Sequence, residues 1–104
     1  MTFQSLYVEE YESREAACAD YVSGQESQMF ASLNAYSWLG SPEIFAKERG
    51  LPIYYVDNCW CRVAVNAADL REFLKLGVGT ELELERLILS VSDERWYVIT
   101  EEEF

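Results

Sequence analysis

The sequence of 104 residues contains no histidine. Serine and cysteine nucleophiles usually depend on an adjacent base, most often histidine, and general acid–base catalysis near neutral pH falls mostly to the same side chain. A pair of carboxylates can act without histidine, but a catalytic acid needs a desolvated site that raises its pKa. Clustered, solvated glutamates do not provide such a site. The sequence therefore predicts a protein that is not an enzyme.

Basic residues are also few. Eight Lys and Arg residues stand singly against 19 Asp and Glu residues, and the formal net charge is −11. Phosphate binding requires clustered Lys and Arg, and an anionic membrane repels an acidic protein. We therefore expect no direct binding of nucleic acid and no membrane partner. No apolar run approaches the roughly 20 residues that cross a bilayer, and the first residues do not have the pattern of a signal peptide, so we expect a cytoplasmic protein.

The three cysteines are too few for a zinc site and odd in number, which excludes a closed disulfide framework. Cys59 and Cys61 flank Trp60 and are expected on the same side of a strand. A structural zinc site usually needs four Cys or His ligands, and Cys18 is the one further candidate. We expect no metal and no cofactor, and we expect the thiols to behave as small buried apolar groups.

Apolar residues, by contrast, make up 50% of the chain and aromatic residues 14%. This content and length are typical of a single domain, residues 1–104, with its own core. In the first half, the pattern predicts a strand over 3–8 and helices over about 13–22, 28–39 and 42–49. The helix over 28–39 depends on an apolar stripe at helical spacing: Met29, Phe30, Leu33, Tyr36 and Leu39. Ser13 and Ser41 are the expected N-caps, and Pro42 suits a first helical position.

In the second half, strands are expected over 53–56 and 59–65, joined as a hairpin by Asp57 and Asn58. A helix over 67–76 follows, with Asn66 as its N-cap. A strong strand is predicted over 96–100, after a turn at 92–94. Together these elements indicate an α+β domain, with a mostly antiparallel sheet of four or five strands and helices packed on one face.

Residues 80–91 fit two structures. Alternation of Leu and Glu over 80–85 favours a strand, with a bulge after Arg86, and such a strand forms a hairpin with 96–100. A capping box of Thr80 and Glu83, followed by a helical stripe, favours a helix. That stripe consists of Leu84, Leu87, Ile88 and Val91. We favour the strand because of the hairpin, and on it Glu81, Glu83 and Glu85 project from one face.

The acidic residues concentrate at the two ends of the sequence. Residues 1–26 carry six acids and one base, residues 27–80 carry five of each, and residues 81–104 carry eight acids and two bases. If the first strand pairs near the last hairpin, these groups merge into one carboxylate surface that attracts a cationic partner. Solubility is the alternative reason for the same charge.

Consecutive aromatic residues in strands point to opposite faces, so one residue of each of two pairs is expected on the open face of the sheet. These pairs are Tyr54 with Tyr55 and Trp96 with Tyr97. An exposed aromatic residue among acids is typical of an interface anchor with a charged rim. Packing beneath helices is the alternative explanation.

In size, charge and α+β pattern, the chain resembles the small acidic anti-CRISPR and DNA-mimic proteins of phages, and also the immunity proteins that neutralise bacterial toxins. The resemblance implies a non-enzymatic inhibitor that blocks a basic, nucleic-acid-binding partner such as a nuclease, a CRISPR effector or a toxin. No motif carries it, so it transfers no residue roles.

The residues expected to bind the partner are carboxylates and aromatics: Glu9, Glu10, Glu12, Glu81, Glu83, Glu85, Asp93, Glu94, Trp96, Tyr97, Tyr54 and Trp60. A small ligand-binding domain or enzyme built on the central hairpin is an alternative. Its site would use Asp57, Cys59, Cys61, Arg62 and Asp69, and Arg62 can bind a carboxylate or phosphate with two hydrogen bonds. A homodimer formed through the exposed sheet is a further possibility.

Overall fold

A computed structural model describes residues 4–23, 28–34, 41–56, 60–76 and 82–103. The described elements, in chain order, are β1 (Gln4–Tyr11), α1 (Arg14–Ser23), β2 (Gln28–Asn34), α2 (Pro42–Arg49), β3 (Ile53–Val56), β4 (Trp60–Asn66), α3 (Ala67–Lys75), α4 (Leu82–Ser90) and β5 (Trp96–Glu103). Among these elements, no helix is long and apolar enough to span a bilayer.

The strands form one antiparallel sheet in the spatial order β2-β1-β5-β4-β3. The last strand in the sequence is therefore central. Its first five residues, Trp96 to Thr100, are aromatic or β-branched, and such side chains pack well on a pleated surface. Ile99 lies opposite both Val8 of β1 and Val63 of β4 and is fully buried, so the core is built around β5.

The main core lies on one face of the sheet, which we call the three-helix face because α2, α3 and α4 cover it. Strand residues at alternate positions meet helix residues there, and the buried set includes Val8, Val63, Val65, Tyr97, Ile99, Phe45, Leu70, Phe73, Leu74 and Leu84. On the opposite face, Ala17 of α1 packs against Tyr11 and Val98 in a smaller cluster. We call this the α1 face. The predicted α+β class and antiparallel sheet are confirmed. The expectation that helices pack on one face holds for α2, α3 and α4, whereas α1 packs on the other face.

Local signals in the sequence correctly predict the starts of α1, α2 and α3. The Ala16 N–H donates to Ser13 Oγ at 3.1 Å, and the Asp69 N–H donates to Asn66 Oδ1 at 2.8 Å. The Ser41 side chain caps α2, and Pro42 occupies its first turn. Gly50 ends that helix at φ 67°, in the left-handed region that glycine adopts without strain. The predicted hairpin of β3 and β4 is also confirmed, although its turn at 57–59 lies outside the described residues.

The helix predicted over 28–39 is wrong over its first seven residues, which form strand β2; residues 35–39 lie outside the described part. The stripe of apolar residues is compatible with either structure, and pairing with β1 decides between them. The register skips Phe30, because Val8 lies opposite Ala31 and Glu9 opposite Met29. This bulge lets Phe30 pack against the core, where its ring meets that of Tyr97 edge-on at 5.2 Å.

The strand favoured over 80–91 is also wrong, because residues 82–90 form helix α4. The apolar stripe of the alternative, helical prediction packs against the main core. Leu84 is fully buried, Val91 is 5% exposed, and Leu87 and Ile88 contact the same core. The hairpin that favoured a strand does not form, because β5 pairs with β1 and β4 instead. The predicted row of glutamates is therefore wrong for Glu83 and Glu85, because helical residues two positions apart do not share a face. Glu81 lies outside the described residues.

Two leucines of α4 give a direct test of this assignment. Leu84 is 0% exposed and Leu89 is 86% exposed. We expect Leu84→Ala to lower the free energy of unfolding by about 2–5 kcal/mol, through lost burial and a residual cavity. The matched control Leu89→Ala is expected to change it by less than about 0.5 kcal/mol. Urea denaturation followed by circular dichroism measures both. Because the strand places Leu89 in its apolar set, a large effect at Leu89 would contradict the helix.

Candidate interaction site

The end of β1 and the start of β5 lie side by side, with Glu10 opposite Tyr97 and Tyr11 opposite Trp96. Seven of the predicted partner-binding residues therefore meet at one end of the sheet: Glu9, Glu10, Glu12, Asp93, Glu94, Trp96 and Tyr97. One condition for a common acidic surface, a first strand that lies beside the last one, is met because β1 pairs with β5. The contact with a partner stays a prediction.

Four exposed carboxylates lie in the segments that follow β1 and precede β5, and we call them the acidic end: Glu12, Glu15, Asp93 and Glu94. The side chain of Glu12 is 90% exposed and that of Asp93 is 79% exposed. The start of α1 and the turn before β5 position three of these carboxylates. Glu15 lies in the first turn of α1, where a negative charge suits the helix dipole. A tight turn before β5 presents Asp93 and Glu94, and it is closed by a hydrogen bond from the Arg95 N–H to the Ser92 carbonyl at 3.1 Å.

Arginines are interleaved with these carboxylates. Arg71 binds the Asp93 carboxylate and donates to the Val91 carbonyl at 2.8 Å. Arg95 lies 3.9 Å from a Glu12 oxygen, and the Arg14 guanidinium lies 5.8 Å from the centre of the Trp96 ring. Exposed ion pairs of this kind contribute about 0–1 kcal/mol each. An incoming cation can therefore replace an arginine at the acidic end at little cost.

Glu9 and Glu10 are adjacent in β1, so they project to opposite faces of the sheet. On the α1 face, Glu9 lies 3.7 Å from Arg62 and accepts a hydrogen bond from Tyr11 Oη at 3.2 Å. Arg62 also donates to Tyr11 Oη and to Thr100 Oγ1, each at 3.3 Å. The Arg62 side chain is 13% exposed. The role of Glu9 visible in this geometry is to balance the charge of a largely buried arginine.

On the three-helix face, Glu10 accepts a hydrogen bond from Tyr97 Oη at 2.9 Å, and Tyr97 Oη accepts one from the Ser92 N–H at 2.8 Å. Burial raises the pKa of Tyr97, and the hydrogen bond to Glu10 adds to the rise, so the hydroxyl stays protonated and donates. Tyr97 is 0% exposed, whereas Trp96 is half-buried. Of this aromatic pair, Trp96 is therefore the one at the surface.

Glu10 also lines an open groove between β2 and α4, with a volume of about 340 Å³. Its walls are Glu10, Gln28, Met29, Phe30, Leu87 and Ser90. The sequence pattern does not predict this groove, because it favours a helix where β2 forms and a strand where α4 forms. The signal that was present is the helical stripe of α4, which places Leu87 towards the core.

The remaining predicted site residues lie elsewhere. Glu85 is exposed on α4, Glu83 belongs to the same helix, and Glu81 lies outside the described residues. Tyr54 is half-buried in β3, and the backbone of Trp60 lies in β4 opposite Glu102. The described residues of this set belong to α4, β3 and β4, and none of them lies in the segments that carry the acidic end.

The expected merging of all acidic groups into one surface is wrong. Glu101, Glu102 and Glu103 lie at the far end of β5, an eight-residue strand. A strand of that length is roughly 23 Å long at about 3.3 Å per residue. The acidic end and the final glutamates are thus separated by the length of the sheet.

The alternative ligand site on the central hairpin is divided by the fold. Cys61 is buried on the three-helix face, whereas Arg62 lies on the α1 face. Asp69 lies on α3 and is 3.9 Å from Arg49, and Asp57 and Cys59 lie outside the described residues. In the described ranges, no group of three or more Cys, Asp or Glu side chains is arranged to hold a metal ion.

Burial, together with the nearby carboxylates of Glu43 and Glu101, raises the pKa of the Cys61 thiol to about 11. The thiol is thus neutral at physiological pH and is 7% exposed. This matches the expectation of a small buried apolar side chain.

The raised pKa of Cys61 predicts that the fold loses stability at alkaline pH. A group whose pKa is higher in the folded than in the unfolded state stabilises the fold fully below its unfolded pKa, and loses that contribution as pH rises through its folded pKa. We expect the free energy of unfolding to fall between about pH 9 and pH 11, the ordinary and folded pKa values of Cys61. Tyr97 adds a loss of the same sign above about pH 10.

Denaturant unfolding measured at each pH tests the assignment to Cys61. In Cys61→Ala the ionising group is absent, so the slope between pH 9 and 10 is expected to flatten, whatever the overall cost of the smaller side chain. If the free energy of unfolding falls equally steeply with pH in the variant and in the original protein, the alkaline loss of stability does not come from Cys61.

Searches against family models, curated proteins and solved structures find no match to this chain. The candidate site therefore depends on its own geometry and charge.

Proposed function

We propose that the protein is an acidic, non-enzymatic inhibitor that binds a basic, nucleic-acid-binding partner and covers the surface where that partner holds phosphates. The partner is a nuclease or a CRISPR effector, and the inhibitor is of the anti-CRISPR or DNA-mimic type. An immunity protein acting on a basic toxin has the same physical requirements. The place of action in this proposal is the cytoplasm of a bacterial cell or of a phage-infected host.

The observation that carries the proposal is the excess of carboxylates over the bases that neutralise them. Counting only the described residues, six of the eight bases have a carboxylate within 4 Å: Lys47, Arg49, Arg62, Arg71, Lys75 and Arg95. Even if all eight bases were paired one to one with acids, a charge of −11 would remain. This charge repels itself and lowers stability, and a cationic partner relieves the repulsion.

The acidic end supports binding in two stages. Long-range attraction from the net charge accelerates encounter with a basic surface. On contact, lysines or arginines of the partner replace Arg95 and Arg71 beside Glu12 and Asp93, while the half-buried Trp96 supplies an aromatic anchor among charged residues. The carboxylates then occupy the positions that DNA phosphates would take.

Capture from bacterial lysate at 50 mM NaCl, with the immobilised protein as bait, tests the proposal. We expect recovery of a basic nucleic-acid-binding protein, identified by mass spectrometry, and its release by 500 mM NaCl or by excess duplex DNA. The recovered protein should lose DNA binding or cleavage when the inhibitor is added at equal concentration. Retention that is indifferent to both salt and DNA, or recovery of acidic partners, would overturn the proposal.

Two charge-matched triple variants locate the binding surface. The first changes the acidic end: Glu12→Gln, Glu15→Gln and Glu94→Gln. The control changes three exposed glutamates on α2, α3 and α4: Glu48→Gln, Glu72→Gln and Glu85→Gln. We expect the first triple to weaken binding of the recovered partner at least about tenfold and the control less than about threefold, since rim charges mainly affect association rates. Equal weakening would show that net charge acts without a local site.

A further inference from the structure

Strand β2 is the outermost strand of the described sheet on the side of β1. Its seven residues, Gln28–Asn34, include no charged residue and no proline. Outer strands carry a row of backbone N–H and C=O groups on their free edge, and natural proteins usually protect a long edge with charges or proline. The lack of these residues leaves β2 suited to pairing with another strand.

The groove beside β2 has the composition of a side-chain pocket. Met29, Phe30 and Leu87 supply apolar walls, and Met29 is 62% exposed. A strand added next to β2 projects alternate side chains towards the three-helix face, beneath α4. Those side chains enter the groove.

Glu10 gives the groove its specificity, because it is the single charged residue among the described residues that line it. Its carboxylate is held in place by Tyr97, which is itself held by the Ser92 N–H. A carboxylate can accept about four hydrogen bonds, and Tyr97 supplies one of them. The fitting counterpart for a positioned carboxylate beside apolar walls is the ammonium or guanidinium group of a long side chain.

We propose that the groove between β2 and α4 receives an extended basic segment of a partner protein, which adds to the sheet beside β2 and places a lysine or arginine against Glu10. This inference rests on the proposed function insofar as the partner is the same basic protein. Backbone pairing supplies affinity in this mode of recognition, and pockets for alternate side chains supply specificity.

A second copy of the chain fits the groove less well. Its own β2, with the sequence QMFASLN, has no cation to place against Glu10. Two chains of net charge −11 also repel each other. We therefore assign the groove to a basic partner rather than to a homodimer.

Synthetic peptides test the groove without knowledge of the partner. The probe is a fluorescent nine-residue peptide in which lysine alternates with valine or threonine, and its control carries glutamate in place of lysine. Fluorescence anisotropy should show binding of the lysine peptide only. Amide hydrogen exchange should show protection confined to β2 and the facing turn of α4. In Glu10→Gln, which keeps an acceptor for Tyr97 Oη, affinity should fall about tenfold.

Backbone pairing is tested with two further peptides, N-methylated at either the odd or the even positions. Successive N–H groups of an extended chain point to opposite edges, so one of the two peptides should lose binding and the other should keep it. Equal binding of both would overturn strand addition, and unchanged affinity of Glu10→Gln would overturn the role of Glu10. A dimer in sedimentation analysis with protected β2 amides would assign the groove to a second copy.

The two proposals fail separately. If Glu10→Gln and the peptides have no effect while salt-sensitive capture persists and depends on the acidic end, the groove proposal is wrong and the inhibitor proposal stands. If the peptides bind as expected but the recovered partners are not nucleic-acid-binding proteins, the inhibitor proposal is wrong and the groove proposal stands.

Discussion

The burial of β5 between β1 and β4 is the constraint around which the rest of the molecule is arranged. Its alternate residues Tyr97 and Ile99 form the floor of the main core, while Val98 packs against α1 on the other face. The same strand positions the candidate site. Pairing of Glu10 with Tyr97 sets the carboxylate that lines the groove, and pairing of Tyr11 with Trp96 brings α1 and the turn at 92–95 together. The acidic end exists because these two strand ends are neighbours.

Much of the fold could be predicted because its signals are local. Ser41 before Pro42, and Asn66 before α3, cap their helices with their own side chains. The errors at 28–34 and 82–90 have a common cause. Both segments carry apolar residues at spacings that suit either a helix or a strand with a bulge, and contacts distant in sequence decide between them. Pairing with β1 makes the first a strand, and burial of Leu84 beneath the core makes the second a helix.

Part of the candidate site could also be predicted from local signals in the sequence. Composition predicts strands over 3–8 and 96–100. Their pairing, which places Tyr11 opposite Trp96, is set by the tertiary fold and not by any local pattern. The separation of Glu9 from Glu10 follows from strand alternation, but their partners Arg62 and Tyr97 are set by the register, which no local pattern specifies. Ion pairing within the protein also reduces the number of carboxylates that are available to a partner. Several acids stabilise neighbouring arginines, so the excess available to a partner is smaller than the number of acidic residues.

The position of β5 also bears on the order of folding during synthesis. It is the last of the described elements to leave the ribosome, yet β1 with β2 and β3 with β4 can make only separate two-stranded pairs until it arrives. Two-stranded sheets are marginal in water. The nascent chain therefore keeps the apolar faces of α3 and α4 uncovered until β5 has emerged, and a chaperone that shields them has most to contribute during that interval.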